Sequence, residues 1–145
     1  MTQEYYGTKR VTAWPESRVV ANGTGQTEKL GYAVRYGDGY VSWSPKDTFE
    51  KAYEPVDAMS FSAAIKALKD GHKIARAGWN GKDMFLYLVP GSTFQVNRAP
   101  LLGIYPEGTE INYHAHIDMK TAQGYCVPWL ASQADMLSDD WFIVE

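Results

Sequence analysis

Between Ser60 and Pro90 the hydrophobic period changes from helical to strand-like within thirty residues, and that change limits what can be built around it. Phe61, Ala64, Ile65 and Leu68 recur at helical spacing behind Ser60, a good N-cap, and Gly71 supplies a stop. The pattern predicts an amphipathic helix with one buried stripe. Two β-rich runs follow, at 72–77 and 84–89, separated by Gly78-Trp79-Asn80-Gly81 and closed by Pro90. A second hairpin is expected at 116–120 and 125–129, then a short helix at about 130–138 and a last strand from Trp141 to Val144. One helical stripe and several strands in hairpins indicate an α+β fold, a mostly antiparallel sheet packed around one main amphipathic helix. The glycine- and proline-rich stretch 91–115 reads as a long irregular loop, a candidate lid or subunit contact.

Residues 1–57 read as a separate N-terminal module, a hairpin plus a short helix, with 58–145 as the core domain. Residues 14–29 are polar and glycine-containing and are expected to form a loop. Gly31 to Tyr36 and Tyr40 to Trp43 then flank Gly37-Asp38-Gly39, a hairpin signal. Ser44 is expected as N-cap and Pro45 as first residue of a helix carrying Phe49, Ala52 and Tyr53 on one side.

The chain has 145 residues, 45% of them hydrophobic and 21% charged, which suits an ordinary folded protein with one respectable core. One cysteine, Cys126, forms no internal disulfide, so the chain needs no oxidising compartment, and its simplest role is that of a small buried apolar residue. No run approaches signal-peptide or membrane-span length, so no membrane partner is expected. The net charge of −3 argues against a nucleic acid polymer. Charge is nevertheless unevenly placed. Lys66, Lys69, Lys73, Arg76 and Lys82 meet only Asp70, whereas Asp135, Asp139, Asp140 and Glu145 meet no nearby Lys or Arg. A locally basic strip on an acidic protein fits a small anion.

Within that strip, Trp79 sits at a glycine-flanked turn, where burial in its own subunit is hard. It is expected to stack on a ligand or pack into a partner. Asn80 is a turn former whose amide also suits a base edge or a ribose hydroxyl. Arg76 is either the phosphate clamp, through its planar fork of donors, or a surface strand residue. Trp129 follows Pro128 at a strand end; Asp135 suits ribose hydroxyls or base amino groups, and Ser132 caps the short helix. Trp141, Phe85, Leu86, Leu88 and Val89 read as core. His114, His116 and Asp118 would share one face of a strand, as in some zinc hydrolases, but Met119 occupies the place of a further histidine. Asp139 and Asp140 make a poor acid/base pair, and neither a nucleophile with its base nor a Gly-rich phosphate loop occurs. The residues point to a binder without catalytic residues, metal or cofactor.

Taken together, Met59-Ser60-Phe61, Arg76 to Lys82, Leu86-Tyr87-Leu88-Val89-Pro90-Gly91, His116 to Met119, Val127-Pro128-Trp129, Ser132 to Leu137 and Asp140-Trp141 resemble the phage Thoeris anti-defence type-two family over residues 59–145. The resemblance implies a non-enzymatic sponge in the cytoplasm of the infected bacterial host. Such a sponge captures cyclic ADP-ribose isomers made by TIR enzymes, and in some relatives cyclic dinucleotides. It also implies a homotetramer with pockets between protomers. Carried over, Trp79 stacks on the ligand, with Asn80, Arg76, Trp129 and Asp135 as neighbours and Phe61, Ser132 and Met136 completing the ligand-binding set. Two rivals stand beside it: a metal-dependent hydrolase of the same messenger on His114, His116 and Asp118, and a phage structural or carbohydrate-binding module whose tryptophans stack on sugars. Residues 1–57 resemble an uncharacterised segment of phage proteins, with no implied function.

Overall fold

The computed structural model describes residues 1–145 as two compact units, Met1–Pro55 and Val56–Glu145. In the first, β1 (Thr12–Pro15), β4 (Gly31–Arg35) and β5 (Val41–Pro45) form an antiparallel sheet in the order β1-β4-β5. Between them, β2 (Arg18–Asn22) and β3 (Gly25–Lys29) pair only with each other. The polar stretch 14–29 is thus a hairpin and not a loop. It carries little apolar alternation because nearly all of its side chains face solvent. Helix α1 (Lys46–Ala52) begins one residue later than expected. Ser44 belongs to β5, and Pro45, with ψ 146°, occupies the N-cap position. A Cβ on Gly31 would lie 2.4 Å from the indole of Trp43, so only glycine lets that ring cross β4.

The β4–β5 turn closes as its sequence demands: Tyr36 N–H donates to the Tyr40 carbonyl at 2.9 Å, and the Asp38 carboxylate accepts from Tyr40 N–H at 3.0 Å. Helix α1 lays Phe49 between Tyr32 and Tyr53, with centroids 4.4 and 4.9 Å away. None of its side chains is fully buried.

The second unit is built on a five-stranded antiparallel sheet in the order β11-β10-β7-β6-β12, from β6 (Lys73–Arg76), β7 (Phe85–Val89), β10 (His116–Lys120), β11 (Cys126–Pro128) and β12 (Trp141–Val144). Helix α2 (Phe61–Lys69) packs on one face. Its stripe buries Ala64, Ala67 and Leu68 against Ile74, Leu86 and Trp141, and Gly71, at φ 96°, ends it. Segment 56–59 seals the outer edge of β12 through bonds between Met59 and Trp141 and from Ile143 N–H to the Val56 carbonyl.

Stretch 91–115 is not irregular. It folds into a hairpin of β8 (Ser92–Gln95) and β9 (Glu110–Tyr113), stapled by the Phe94 and Tyr113 rings and by the fully buried Val96. Helix α3 (Gln133–Leu137) is shorter than expected. Cys126 is exposed, because β11 lies at the sheet edge.

Candidate functional site

Register places the candidate residues. Arg76 lies opposite Trp141 on the neighbouring strand, so both side chains stand on the helix-covered face. Trp141 is fully buried and gathers three rings at its edges: Phe61 at 5.4 Å, Trp79 at 5.4 Å and Trp129 at 6.0 Å. Trp79 is therefore not a free ring at the tip of a turn. It is half-buried and held edge-on against its own core. Its turn folds back far enough for Trp79 N–H to reach the Arg76 carbonyl at 3.3 Å.

A carboxylate network then locks the position. Arg76 donates through Nη1 to Asp135 Oδ1 at 2.8 Å and through Nε to Asp140 Oδ1 at 2.9 Å, while Trp79 Nε1 donates to Asp135 Oδ1 at 3.1 Å. The other Asp140 oxygen accepts from Gly78 N–H at 2.8 Å; a Cβ on Gly78 would meet that oxygen at 2.7 Å, so a larger residue there would push the carboxylate out of this arrangement. Asp135 is itself pinned by a capping box with Ser132, and its carbonyl accepts from the Trp141 indole at 2.9 Å.

Burial alone would raise the Asp135 carboxyl. Hydrogen bonds from Arg76, from Ser132 N–H, from Trp79 and from the Ser132 hydroxyl outweigh it and hold the group at about 2. The Arg76 guanidinium likewise holds Asp140 below its usual range, against the opposing effect of burial. The Arg76 side chain is 15% exposed and faces two carboxylates. It is thus no surface strand residue: its guanidinium is held by two carboxylates of its own chain while still lining a groove that opens beside Trp79. The acidic C-terminal cluster finds its cation on β6.

Six of the eight candidate residues are joined in this way: Arg76, Trp79, Asp135 and Ser132 by hydrogen bonds, Phe61 and Trp129 by ring contacts, 6.2 Å apart. Asn80 is exposed and Met136 is 41% exposed, outside the network. Beside Arg76 and Trp79 opens a groove of about 370 Å³, whose further lining includes Met84, Phe85, Lys120 and Phe142. Lys73 and Lys120 both approach the Phe85 ring, at 5.1 and 5.7 Å from its centroid. Phe85 is therefore a groove residue, half-buried and not core. The signal that marks it is period-two alternation. Leu86 faces the helix, so Phe85, Lys120 across from it and Lys73 face away.

His114, His116 and Asp118 do not converge. Strand β9 ends at Tyr113 and β10 begins at His116, so His114 lies outside the strand; only His116 Nε2 nears Asp118 Oδ1, at 3.4 Å. No three His, Cys, Asp or Glu side chains gather closely enough to hold a metal ion. No helix is long and apolar enough to cross a membrane.

Comparison with known proteins adds two findings. A family model described as the Thoeris anti-defense 2-like domain matches residues 59–144. Thoeris anti-defense 2 of Bacillus phage SP01 is 38% identical over 86 residues, covering 59% of this chain and 94% of that protein. The family model begins at Met59, in the strand-like segment that seals β12, and leaves the first unit unmatched.

Proposed function

The chain belongs to the Thoeris anti-defense 2-like family and so has a phage anti-defence role; from that premise we propose that its second unit captures a cyclic nucleotide immune signal and holds it without breaking a bond. The signal is a cyclic ADP-ribose isomer of the glyco-cyclic kind, with cyclic dinucleotides as a second class. The observation that carries this reading is the groove beside Trp79. Its volume of about 370 Å³ lies at the lower end of the range that ligand sites occupy, roughly 300–1,000 Å³.

The groove combines the aromatic surfaces of Trp79 and Phe85 with the Lys120 ammonium, and Lys73 approaches the same Phe85 ring, which supplies the features a base and a phosphate require. Trp79 is preorganised by Asp135 and Trp141, so little ordering entropy remains for the ligand to offset. Arg76 then acts chiefly as an anchor for Trp79 and Asp135, and Lys73 and Lys120 meet the phosphates. Asn80, exposed at the rim, reads the base or ribose; Phe61, Trp129 and Ser132 act from the helix-covered face, where they brace Trp141 and Asp135 behind Trp79, and Met136 lies exposed on α3. A groove open on one side encloses a compact ligand best when another protomer closes it, which accords with a homotetramer having pockets between subunits.

Capture works by mass action in the cytoplasm of the infected host: the protein must out-compete the effector and be abundant enough to deplete the signal. No catalytic residue, metal or cofactor enters the mechanism. Calorimetric titration with glyco-cyclic ADP-ribose tests the site. Trp79→Ala and, separately, the outward-facing Lys120→Ala should each weaken binding, the first by about tenfold or more as expected for loss of a stacked base. Unchanged affinity in both variants would refute the groove.

A further inference from the structure

One wall of the groove is the segment 79–84, and its two ends are tied to cations in different ways. At the Trp79 end the Arg76 guanidinium meets the carboxylates of Asp135 and Asp140, so its charge is answered within the chain. At the other end Lys120 Nζ donates to the main-chain carbonyl of Asp83 at 3.0 Å and stands 5.7 Å from the centroid of the Phe85 ring. Both of those partners are uncharged. Arg76 and Lys120 are the two cations of the lining, and of the two only Arg76 is ion-paired. We infer that Asp83 is a positioning residue of this groove: its main chain, held in the left-handed region, presents the carbonyl that fixes the Lys120 ammonium where the anion of a ligand is received. The inference rests on the groove being the ligand site.

Backbone geometry supports this role. Asp83 is the one residue other than glycine whose φ is positive, at 56°. In that region the Cβ of an L residue crowds its own carbonyl, a cost that Asp and Asn bear better than most and that glycine escapes. Such a conformation persists only where the surroundings impose it, and it collects at ligand clamps and other functional sites. Here the surroundings are plain. The Met84 side chain folds back against Gly81, and Ala122 of the β10–β11 turn stands 3.3 Å from where a Cβ on Gly81 would lie. The turn at Asp83 lets the chain double back in this way before β7 begins at Phe85. Lys120 is paired with Phe85 across β7 and β10, so its side chain starts beside that turn.

The consequence for binding is both entropic and electrostatic. A lysine that a ligand must immobilise loses much rotamer freedom, which lowers affinity by roughly two- to tenfold. At Lys120 that ordering is complete before a ligand arrives. An ammonium has three donors; the Asp83 carbonyl takes one and leaves two for phosphate oxygens. A carboxylate partner would fix the side chain equally well, but it would also compete with the phosphate for the charge. A carbonyl holds the ammonium without that competition.

Three variants of the full chain test the inference. Asp83→Gly and Asp83→Asn both remove the carboxylate and keep the left-handed turn, whereas Asp83→Val opposes the turn through its branched Cβ. Asp83→Ala opposes it more weakly and serves where Asp83→Val unfolds the protein. The first readout needs no ligand: the NMR signal of the Lys120 ε-methylene, which the Phe85 ring current moves upfield. That shift should persist in Asp83→Gly and Asp83→Asn and collapse toward the value of a free lysine in Asp83→Val. The second readout is calorimetric titration with glyco-cyclic ADP-ribose. Affinity should fall by roughly two- to tenfold in Asp83→Val and hold in Asp83→Gly. A Lys120 shift that survives Asp83→Val, or vanishes in Asp83→Gly, would overturn the inference. Equal loss of affinity in all the variants would overturn it too, because it would give the role to the carboxylate. A wild type that ignores this nucleotide while the Lys120 shift follows the expected pattern would sink the ligand reading and leave the placement of Lys120 standing.

Discussion

The two units solve the burial problem differently. The second encloses a whole tryptophan, together with Leu68, Ile74 and Leu86, and seals the edge of β12 with its own chain; the first fully buries no side chain larger than Val34. Its aromatic residues stack on one another half-exposed, and both outer strands of its sheet lack a neighbour. The comparison teaches that the second unit fixes its tryptophan cluster by full burial, whereas the first leaves its aromatic residues and both sheet edges open to solvent.

The largest expected effect is in the second unit. Trp141→Ala removes the ring on which Phe61, Trp79 and Trp129 meet, and also an indole N–H bonded to the Asp135 carbonyl. It should cost about 3–5 kcal/mol of that unit's stability in denaturant unfolding. A cost below about 1 kcal/mol would show that the aromatic cluster is not its keystone.

Next comes Asp135→Asn, which leaves the Arg76 and Trp79 donors facing an uncharged amide. The loss should be about 2–3 kcal/mol. Its pH dependence supplies a sharper test. Asp135 has a folded-state value of about 2, below the unfolded value near 3.8, so its contribution is fully present above about pH 4. That contribution, about 2 kcal/mol, fades as pH falls from about 4 toward 2. Thermal melts over that range should fall more steeply for the wild type than for Asp135→Asn, and parallel curves would contradict the network.

The smallest effect is expected in the first unit. Phe49→Ala removes a half-buried ring between Tyr32 and Tyr53 and should cost only about 1 kcal/mol, read by the fluorescence of Trp43. A loss as large as that of Trp141→Ala would erase the contrast between the units.

Much of this architecture is legible in the residues. The stripe of α2, the β4–β5 hairpin and the burial of Trp141 follow from period and turn chemistry. Elsewhere local pattern fails for identifiable reasons. The β2–β3 hairpin is solvated on both faces, so alternation is absent; β8 and β9 are short strands whose turn residues dominate the composition. Cys126 and Phe85 follow from sheet position and facing, which no local window records. The partnership of Arg76 with Asp135 and Asp140 depends on β6 lying beside β12, a neighbour relation spanning more than sixty residues. Composition shows the unbalanced charges but not their meeting.

The central claim is capture without breakage. Glyco-cyclic ADP-ribose should be incubated with the protein, the complex separated from free nucleotide by filtration, heated to denature the protein, and the supernatant resolved by chromatography and mass spectrometry. The account expects the signal to be depleted from the filtrate and recovered intact after heating. Recovery of linear or hydrolysed nucleotide, at a rate that depends on protein concentration, would contradict it.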